Sequence, residues 1–440
     1  MNRSRLLNLI AGMVLYGLPM QAQDTSPATV WTLEDCLLYA DANSYNINTA
    51  RLAAATNRES LAQSKSALLP SVSGNATMTF SHTGTEFNDD SRINTNGNAG
   101  VSASMVLYNG GTLRNNINLN QISVLSSELQ IEQSANNIKL QITQAYLNVL
   151  LDKENVRYNE DLVKTSQAQL EQMRQKYQVG SVARKAVVQL EAQLAQDKYN
   201  LATYKSSERL DKVSLKQLLL LPADTAFEIQ APDTVFGPQV LPPLSEVQKS
   251  AISFLPDVRI GELAIEASRY SLANAKAGYL PTLSASLGAG SSLGNTTNYS
   301  LGYSISNTFY QQAGLTLSVP IFSRRINKTN VEKAKINIKQ AELDLANTKI
   351  GLSQTVERAY VNALNSQNQY LSAQEQLAYN EEALRISSEE LRIGSANMVD
   401  YVQQRNLYVQ ALQQYIQAKY NAAMYLKLYE FYKGTPITLK

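Results

Sequence analysis

The chain has 440 residues, with 39 Lys+Arg against 37 Asp+Glu; a formal charge of +2 lacks the basic excess that phosphate-backbone binding needs, which excludes nucleic acid as the main partner. One His (His82) and one Cys (Cys36) exclude a His-based catalytic triad, an intrachain disulfide and a Cys/His metal cluster, so the composition speaks against an enzyme and predicts no catalytic residue, cofactor or metal. Charged residues are only 17%, which leaves the polar surface to Gln, Asn, Ser and Thr.

Arg3 and Arg5 precede an apolar run from Leu6 to Tyr16, and Ala22 stands at a plausible cleavage point. Residues 1–22 therefore read as a secretory signal peptide, since the run is too short for a bilayer anchor. No Cys near Ala22 is available for lipid attachment. No later stretch reaches the roughly 18 apolar residues of a transmembrane helix.

The mature chain reads as two repeats, 23–221 and 244–433, joined by a Pro- and Asp-rich linker at 222–243 and followed by a tail at 434–440. At one fixed offset Ala40 falls on Ala251, Ser60-Leu61-Ala62 on Ser271-Leu272-Ala273, and Lys65 on Lys276. At a slightly larger offset Gly100 falls on Gly314, Ala145-Tyr146 on Ala359-Tyr360, and Gly180-Ser181 on Gly394-Ser395. The small change of offset fits a difference in loop length.

Each repeat is predicted to run short helix, helix, two strands, very long helix, long helix. Near the start, Trp31 is expected as a packing anchor or interface residue. Cys36, among Leu33, Leu37 and Leu38, is expected as a packed thiol. Strands are predicted at 71–81 and 99–108, then at 282–291 and 312–322, because apolar and polar residues alternate with period two. Val72, Ala76, Met78 and Phe80 mark one face of the first; Leu315, Leu317, Val319 and Ile321 mark one face of the last. Polar loops are expected at 82–98, including His82, and at 291–311. Tyr108, Tyr279 and Phe322 lie at strand ends, as an aromatic girdle or as ordinary core packing. Strands of about ten residues in an exported chain with few bulky core residues suit an outer-membrane barrel better than a sandwich.

Long helices are predicted at 110–178, 182–221, 324–392 and 397–432. A Pro-free segment of roughly 68 residues makes a rod of about 100 Å, more than a compact domain needs. Ile142, Val149, Val156, Val163 and Leu170 repeat every seven residues. Ile336, Leu343 and Ile350 do the same, beside a second series of Ile338, Leu345, Leu352 and Ala359. Heptads imply coiled-coil packing, and two offset seams on one helix imply neighbours on both sides, as in a closed ring.

Four strands cannot close a membrane barrel, because open edges in lipid leave backbone groups unsatisfied. Three copies supply twelve strands and leave room for a lumen, whose wall would carry the Ser, Thr, Asn and Gly faces.

The chain resembles the TolC family of outer-membrane efflux proteins over about residues 30–433. The resemblance rests on Leu69-Pro70-Ser71 and Leu280-Pro281-Thr282 opening the hairpins, and on Val319-Pro320-Ile321-Phe322 closing the second. It also rests on Ala145 to Asn148 with Ala359 to Asn362, and on the tips Val179-Gly180-Ser181 and Ile393-Gly394-Ser395. The resemblance implies a mixed fold of mainly long α-helices: a homotrimer with a twelve-stranded barrel continued by a periplasmic α-helical barrel. It implies an exit duct in the outer membrane for an inner-membrane pump joined by a periplasmic adaptor.

It further implies that the tips Val179, Gly180, Ser181, Ile393, Gly394 and Ser395 dock the adaptor; a plain helix–helix turn is the simpler reading. Asp400 matches the acidic ring that narrows the family's periplasmic entrance, where three carboxylates around one axis attract cations. Asn397 and Asp400 equally match a helix N-cap with an acidic first turn. Gln403 stands where the family has a second acid, and Ala186 occupies the first-repeat position. Arg184, Lys185 and Arg405 are expected to pair with Asp400 and hold the entrance shut. The leading function is a passive duct for small-molecule efflux. Alternatives are a duct for secreted polypeptides with the same fold and, in a different class, a periplasm-spanning structural coiled coil or adhesin.

Overall fold

The computed structural model describes residues 29–85, 88–232, 237, 239–294 and 308–438. The expected signal peptide and most of the second expected loop lie outside them. The first half runs β1 (Thr29–Trp31), α1 (Leu33–Asn43), α2 (Tyr45–Ser66), β2 (Ser71–Thr85), β3 (Asn88–Asn109), α3 (Thr112–Gln178) and α4 (Arg184–Leu219). After β4 (Phe227–Ile229) come α5 (Leu244–Phe254), α6 (Pro256–Ala277), β5 (Thr282–Gly294), β6 (Tyr310–Ser318), α7 (Ile326–Ile393) and α8 (Met398–Lys433). The lengths recur: 11 and 22 residues for α1 and α2 and again for α5 and α6. They are 67 and 36 for α3 and α4, then 68 and 36 for α7 and α8. No helix among the described residues is long and apolar enough to cross a membrane.

Four strands form one antiparallel sheet in the order β2-β3-β5-β6, so β2 and β6 are its open edges. Register puts the alternation in phase across all four. Val72 faces Ala103, Ala103 faces Leu287, and Leu287 faces Ala313 on one side. Ser71 faces Ser104, Ser104 faces Ser286, and Ser286 faces Gly314 on the other. The Ser71 and Ser104 hydroxyls meet at 2.9 Å, and those of Ser73 and Ser102 at 3.0 Å. One face is thus apolar and the other is a hydrogen-bonding polar wall.

Three strand expectations need correction. The second expected loop is shorter than 291–311, since β5 runs on to Gly294 and β6 starts at Tyr310. Residues 82–85 and 88–98 are strand rather than loop: β2 and β3 stay paired to Thr85↔Asn88, and His82 sits opposite Ile93 within the ladder. A hairpin pairs its backbone whatever its side chains are, so ladder hydrogen bonds carry the strands past the point where apolar alternation stops. The last strand ends at Ser318 rather than at 322. Pro320 has no N–H to give to a ladder, and the chain leaves the sheet there.

The helices form a layer continuing from the sheet. Within it α2 packs on α3, α3 on α6 and α6 on α7, so α2 and α7 are the edges of the layer, as β2 and β6 are of the sheet. Deeper along the rods the main core gathers Ile142, Tyr146, Val149 and Leu150 of α3 with Leu33, Leu215, Val356 and Ile416. Here β1 pairs in parallel with β4 of the linker, and Trp31 packs against Tyr39 and Phe227 at ring distances of 5.2 and 5.8 Å. Tyr146 donates to the Gln230 carbonyl at 2.5 Å, and Tyr429 donates to the Pro242 carbonyl at 2.9 Å, so both halves grip the linker. Cys36 is fully buried in this core, and desolvation pushes its thiol up to about 12, which makes it an inert packing group.

Candidate functional site at the helix tips

The two long hairpins turn through the same motif. Gly180 has φ +74° and Gly394 has φ +82°, in the left-handed region where a Cβ is disfavoured. Ser181 N–H donates to the Lys176 carbonyl and Gly180 N–H to the Tyr177 carbonyl, both at 2.9 Å. Ser395 and Gly394 donate in the same way to Glu390 and Leu391, at 2.9 and 3.3 Å. These are Schellman closures, which satisfy carbonyls at a helix end. Val179 and Ile393 stand at the turns with exposed apolar side chains.

Across the second turn, the Asn397 side chain accepts from the backbone N–H groups of Val399 and Asp400, at 2.8 and 3.1 Å. The cap expected from the residue pattern is therefore built. Asp400 is exposed in the first turn of α8, where the helix dipole favours a carboxylate. Gln403 is exposed one turn on, and Arg184 and Lys185 are exposed at the start of α4.

Arg405 corrects the sequence reading. It does not face Asp400; it is 2% exposed and its guanidinium donates to Asp197 at 2.8 Å and to Ser166 at 2.7 Å. Five residues along a helix rotate a side chain by roughly 140°, so Arg405 points away from the face that carries Asp400. Ser166 also donates to Asp197, closing a buried triad that joins α3, α4 and α8. Beside it Gln169 donates to the Tyr401 hydroxyl. The sequence carries a signal for the Arg405–Asp197 pair. Val187, Leu190 and Leu194 are buried at heptad-like spacing, and Asp197 continues the series. Met398 and Tyr401 are followed in the same way by Arg405. Charged residues at seam positions on two helices announce a partnership, and polar seam residues specify register.

Further along the rods, α3, α4, α7 and α8 frame a groove of about 740 Å³ lined by amides, among them Asn155, Gln369, Gln376, Gln410, Gln413 and Gln417. Amides donate and accept without fixed charge. The groove's carboxylate, Asp152, is pushed up to about 6, first by desolvation and then by Asp211 and Glu208. A carboxylate whose folded pKa lies above its unfolded 3.8 favours the native state when protonated, and that benefit is lost as pH rises from 3.8 through about 6. Asp152→Asn is therefore expected to raise the melting temperature at pH 8 more than at pH 4. Equal shifts at both pH values would show that Asp152 titrates normally.

Among the described residues no group of His, Cys, Asp or Glu side chains is arranged to hold a metal ion. The arrangement offers an apolar sheet face, a polar opposite face, long rods and two exposed tips.

Comparison with known proteins agrees with that geometry. The family model for outer membrane efflux proteins matches residues 39–219 and 248–426. The outer membrane efflux protein BepC of Brucella suis biovar 1 (strain 1330) is 21% identical over 339 residues, covering 74% of this chain and 69% of its own. In fold, the chain is similar to the CmeC outer membrane channel of Campylobacter jejuni (TM-score 0.77, 20% identity, 91% of this chain and 85% of that one). It is also similar to the open state of the MtrE outer membrane channel of Neisseria gonorrhoeae (TM-score 0.74, 20% identity, 91% and 88%). A sheet with one apolar face, rods that turn twice and a match to the family model across both halves lead to one conclusion: this chain belongs to the outer membrane efflux protein family.

Proposed function

We propose that three copies of the chain close one passive duct through the outer membrane, with the sheets as a twelve-stranded barrel and the long helices as an α-helical barrel in the periplasm. The duct performs no chemistry. It releases small molecules handed on by an inner-membrane pump through a periplasmic adaptor, which docks at Val179, Gly180, Ser181, Ile393, Gly394 and Ser395. Asp400 and Gln403 narrow the periplasmic entrance, with Arg184 and Lys185 beside it.

One observation carries the assembly: the sheet and the helix layer are open along the same two edges, and those edges match. On the α7 edge Ile336, Leu343 and Ile350 are exposed at seven-residue spacing. On the opposite edge Tyr45 and Leu52 of α2 are exposed at the same spacing. Measured from the sheet end at 1.5 Å per residue, the α7 residues lie about 15, 26 and 36 Å down, and Leu52 and Tyr45 about 21 and 31 Å down. The two series interleave as knobs and holes when one copy's α7 lies beside the next copy's α2. The same placement lets β6 of one copy pair with β2 of the next and removes every open edge.

Purified full-length protein in planar bilayers is expected to give discrete channel currents. Leu52→Cys combined with Leu343→Cys and a bifunctional thiol reagent is expected to give a covalent ladder ending at three copies. Asp400→Ala is expected to weaken the channel's cation preference. A monodisperse single subunit without conductance would overturn the duct, and unchanged ion selectivity in the Asp400 variant would remove that residue from the entrance.

A further inference from the structure

At the end of the sheet that joins the helices, the chain crosses four times. β2 and β5 start there, at Ser71 and Thr282, and β3 and β6 end there, at Asn109 and Ser318. The charges near these crossings are one-sided. Segments 60–71, 109–127, 270–283 and 318–331 hold Lys65, Arg114, Lys276, Arg324, Arg325 and Lys328, and no Asp or Glu. All six are exposed, five of them within about two helical turns of a strand end and Lys328 within about three. Lys328 has Glu332 one turn on, which Lys335 also holds at 2.9 Å; the other five have no carboxylate within their segments.

The backbone adds an independent observation. After β3 the turn into α3 is made by Gly110 and Gly111, at φ +66° and +86°. After β6 the corresponding turn into α7 is made by Arg324 and Arg325, at φ +45° and +71°. Glycine adopts that region freely, whereas a residue with a Cβ is disfavoured there. Two arginines thus occupy a pair of positions where the other half uses glycine, so the side chains are retained against the backbone preference. The residues just before them are Ile321 and Phe322, 95% and 84% exposed. Leu315 and Leu317 lie on the apolar face of the sheet, and Val319 and Ile321 follow as exposed apolar residues just past its end. Tyr108, opposite Leu283, and Tyr279 are exposed at the same level. An apolar face, then aromatic rings, then cations is the order met on passing from hydrocarbon to lipid phosphates.

We propose that Lys65, Arg114, Lys276, Arg324, Arg325 and Lys328 form a cationic girdle that binds the headgroup phosphates of phospholipids in the leaflet facing the helices, with Arg324 and Arg325 as its strongest pair. It rests on the reading that the sheet lies in the membrane. Guanidinium groups take phosphate oxygens in bidentate fashion, and several basic residues at one depth raise the local concentration of anionic lipid. The girdle sets the height of the duct in the bilayer and ties the helix layer to the lipid surface.

The test uses full-length protein in mild detergent, with retained lipid counted by native mass spectrometry. The probes are phosphatidylglycerol and phosphatidylcholine of equal chain length, with inorganic phosphate as a competitor. Wild type is expected to retain phosphatidylglycerol preferentially. At about fivefold per cation, Arg324→Gln with Arg325→Gln is expected to weaken that retention about twenty-fivefold. Arg324→Gly with Arg325→Gly is expected to lose lipid equally but to melt at a higher temperature, since glycine relieves the left-handed turn. Lys65→Gln with Lys276→Gln, on ordinary helical backbone, is expected to weaken retention without altering the turn. Undiminished retention in all three variants, or displacement by millimolar phosphate as effective as by lipid, overturns the girdle. Bilayer currents separate it from the duct itself. Wild type that conducts but retains both lipids alike loses the girdle alone, and wild type that enters no bilayer loses both.

Discussion

Leu287→Arg is expected to remove the protein from the outer membrane, while Ser286→Arg, one residue away, is expected to leave it there. Leu287 lies midway along β5 on the apolar face, flanked by Ala103 and Ala313. Ser286 lies on the polar face, flanked by Ser104 and Gly314. A cation on the lipid side of a barrel costs about 2–4 kcal/mol near the bilayer midplane, whereas a lumen residue keeps its contact with water. In the proposed trimer that cost is counted three times. Membrane fractionation and heat-dependent gel mobility of both variants supply the measurement. The inverse pattern, with the Ser286 variant lost and the Leu287 variant retained, would exchange the two faces and refute the duct.

Arg405→Met is expected to destabilise the helical region by about 3–5 kcal/mol, because it strands the Asp197 carboxylate in the interior. Both partners have side chains only 3% exposed, so water cannot replace the lost guanidinium. The companion experiment is Arg405→Met with Asp197→Leu, which removes both charges and is expected to recover most of the loss. Chemical denaturation followed by circular dichroism gives the cycle. A single variant as stable as the wild type would mean that the pair contributes little. Register is the second readout. The triad joins the α3/α4 hairpin to α8, and polar groups at seam positions resist slippage. Limited proteolysis at the tips is expected to accelerate in the single variant. Surface pairs such as Arg385–Glu382 at 2.7 Å are exposed and offer no comparable effect.

Local rules were sufficient wherever they acted alone. Period-two alternation located four strands, because a sheet with one apolar and one polar face needs one apolar and one polar side chain in turn. The absence of Pro over long stretches, with heptad apolar residues, located the rods. Gly180 and Gly394 marked the tips because few other residues take a left-handed φ without strain. Asn397 announced its cap for the same local reason. The apolar series Ile336, Leu343 and Ile350 was legible as a seam, although it is exposed among the described residues.

Pairing across distance had to come from the fold. The extent of the first hairpin, held by Thr85↔Asn88, follows from backbone hydrogen bonds that carry no side-chain signature. Arg405 was expected to neutralise Asp400, its near neighbour in sequence, and instead meets Asp197 and Ser166 from two other helices. A charge's partner is set by the direction in which its helix turns it and by what else is buried there. Sequence proximity supplies neither. Composition and periodicity therefore determined the elements and their polar and apolar faces, since each is a property of a few consecutive residues in contact with solvent or lipid. Tertiary structure alone decided which buried polar groups meet and which edges stay open, because those depend on how rods roughly 100 Å long lie against one another.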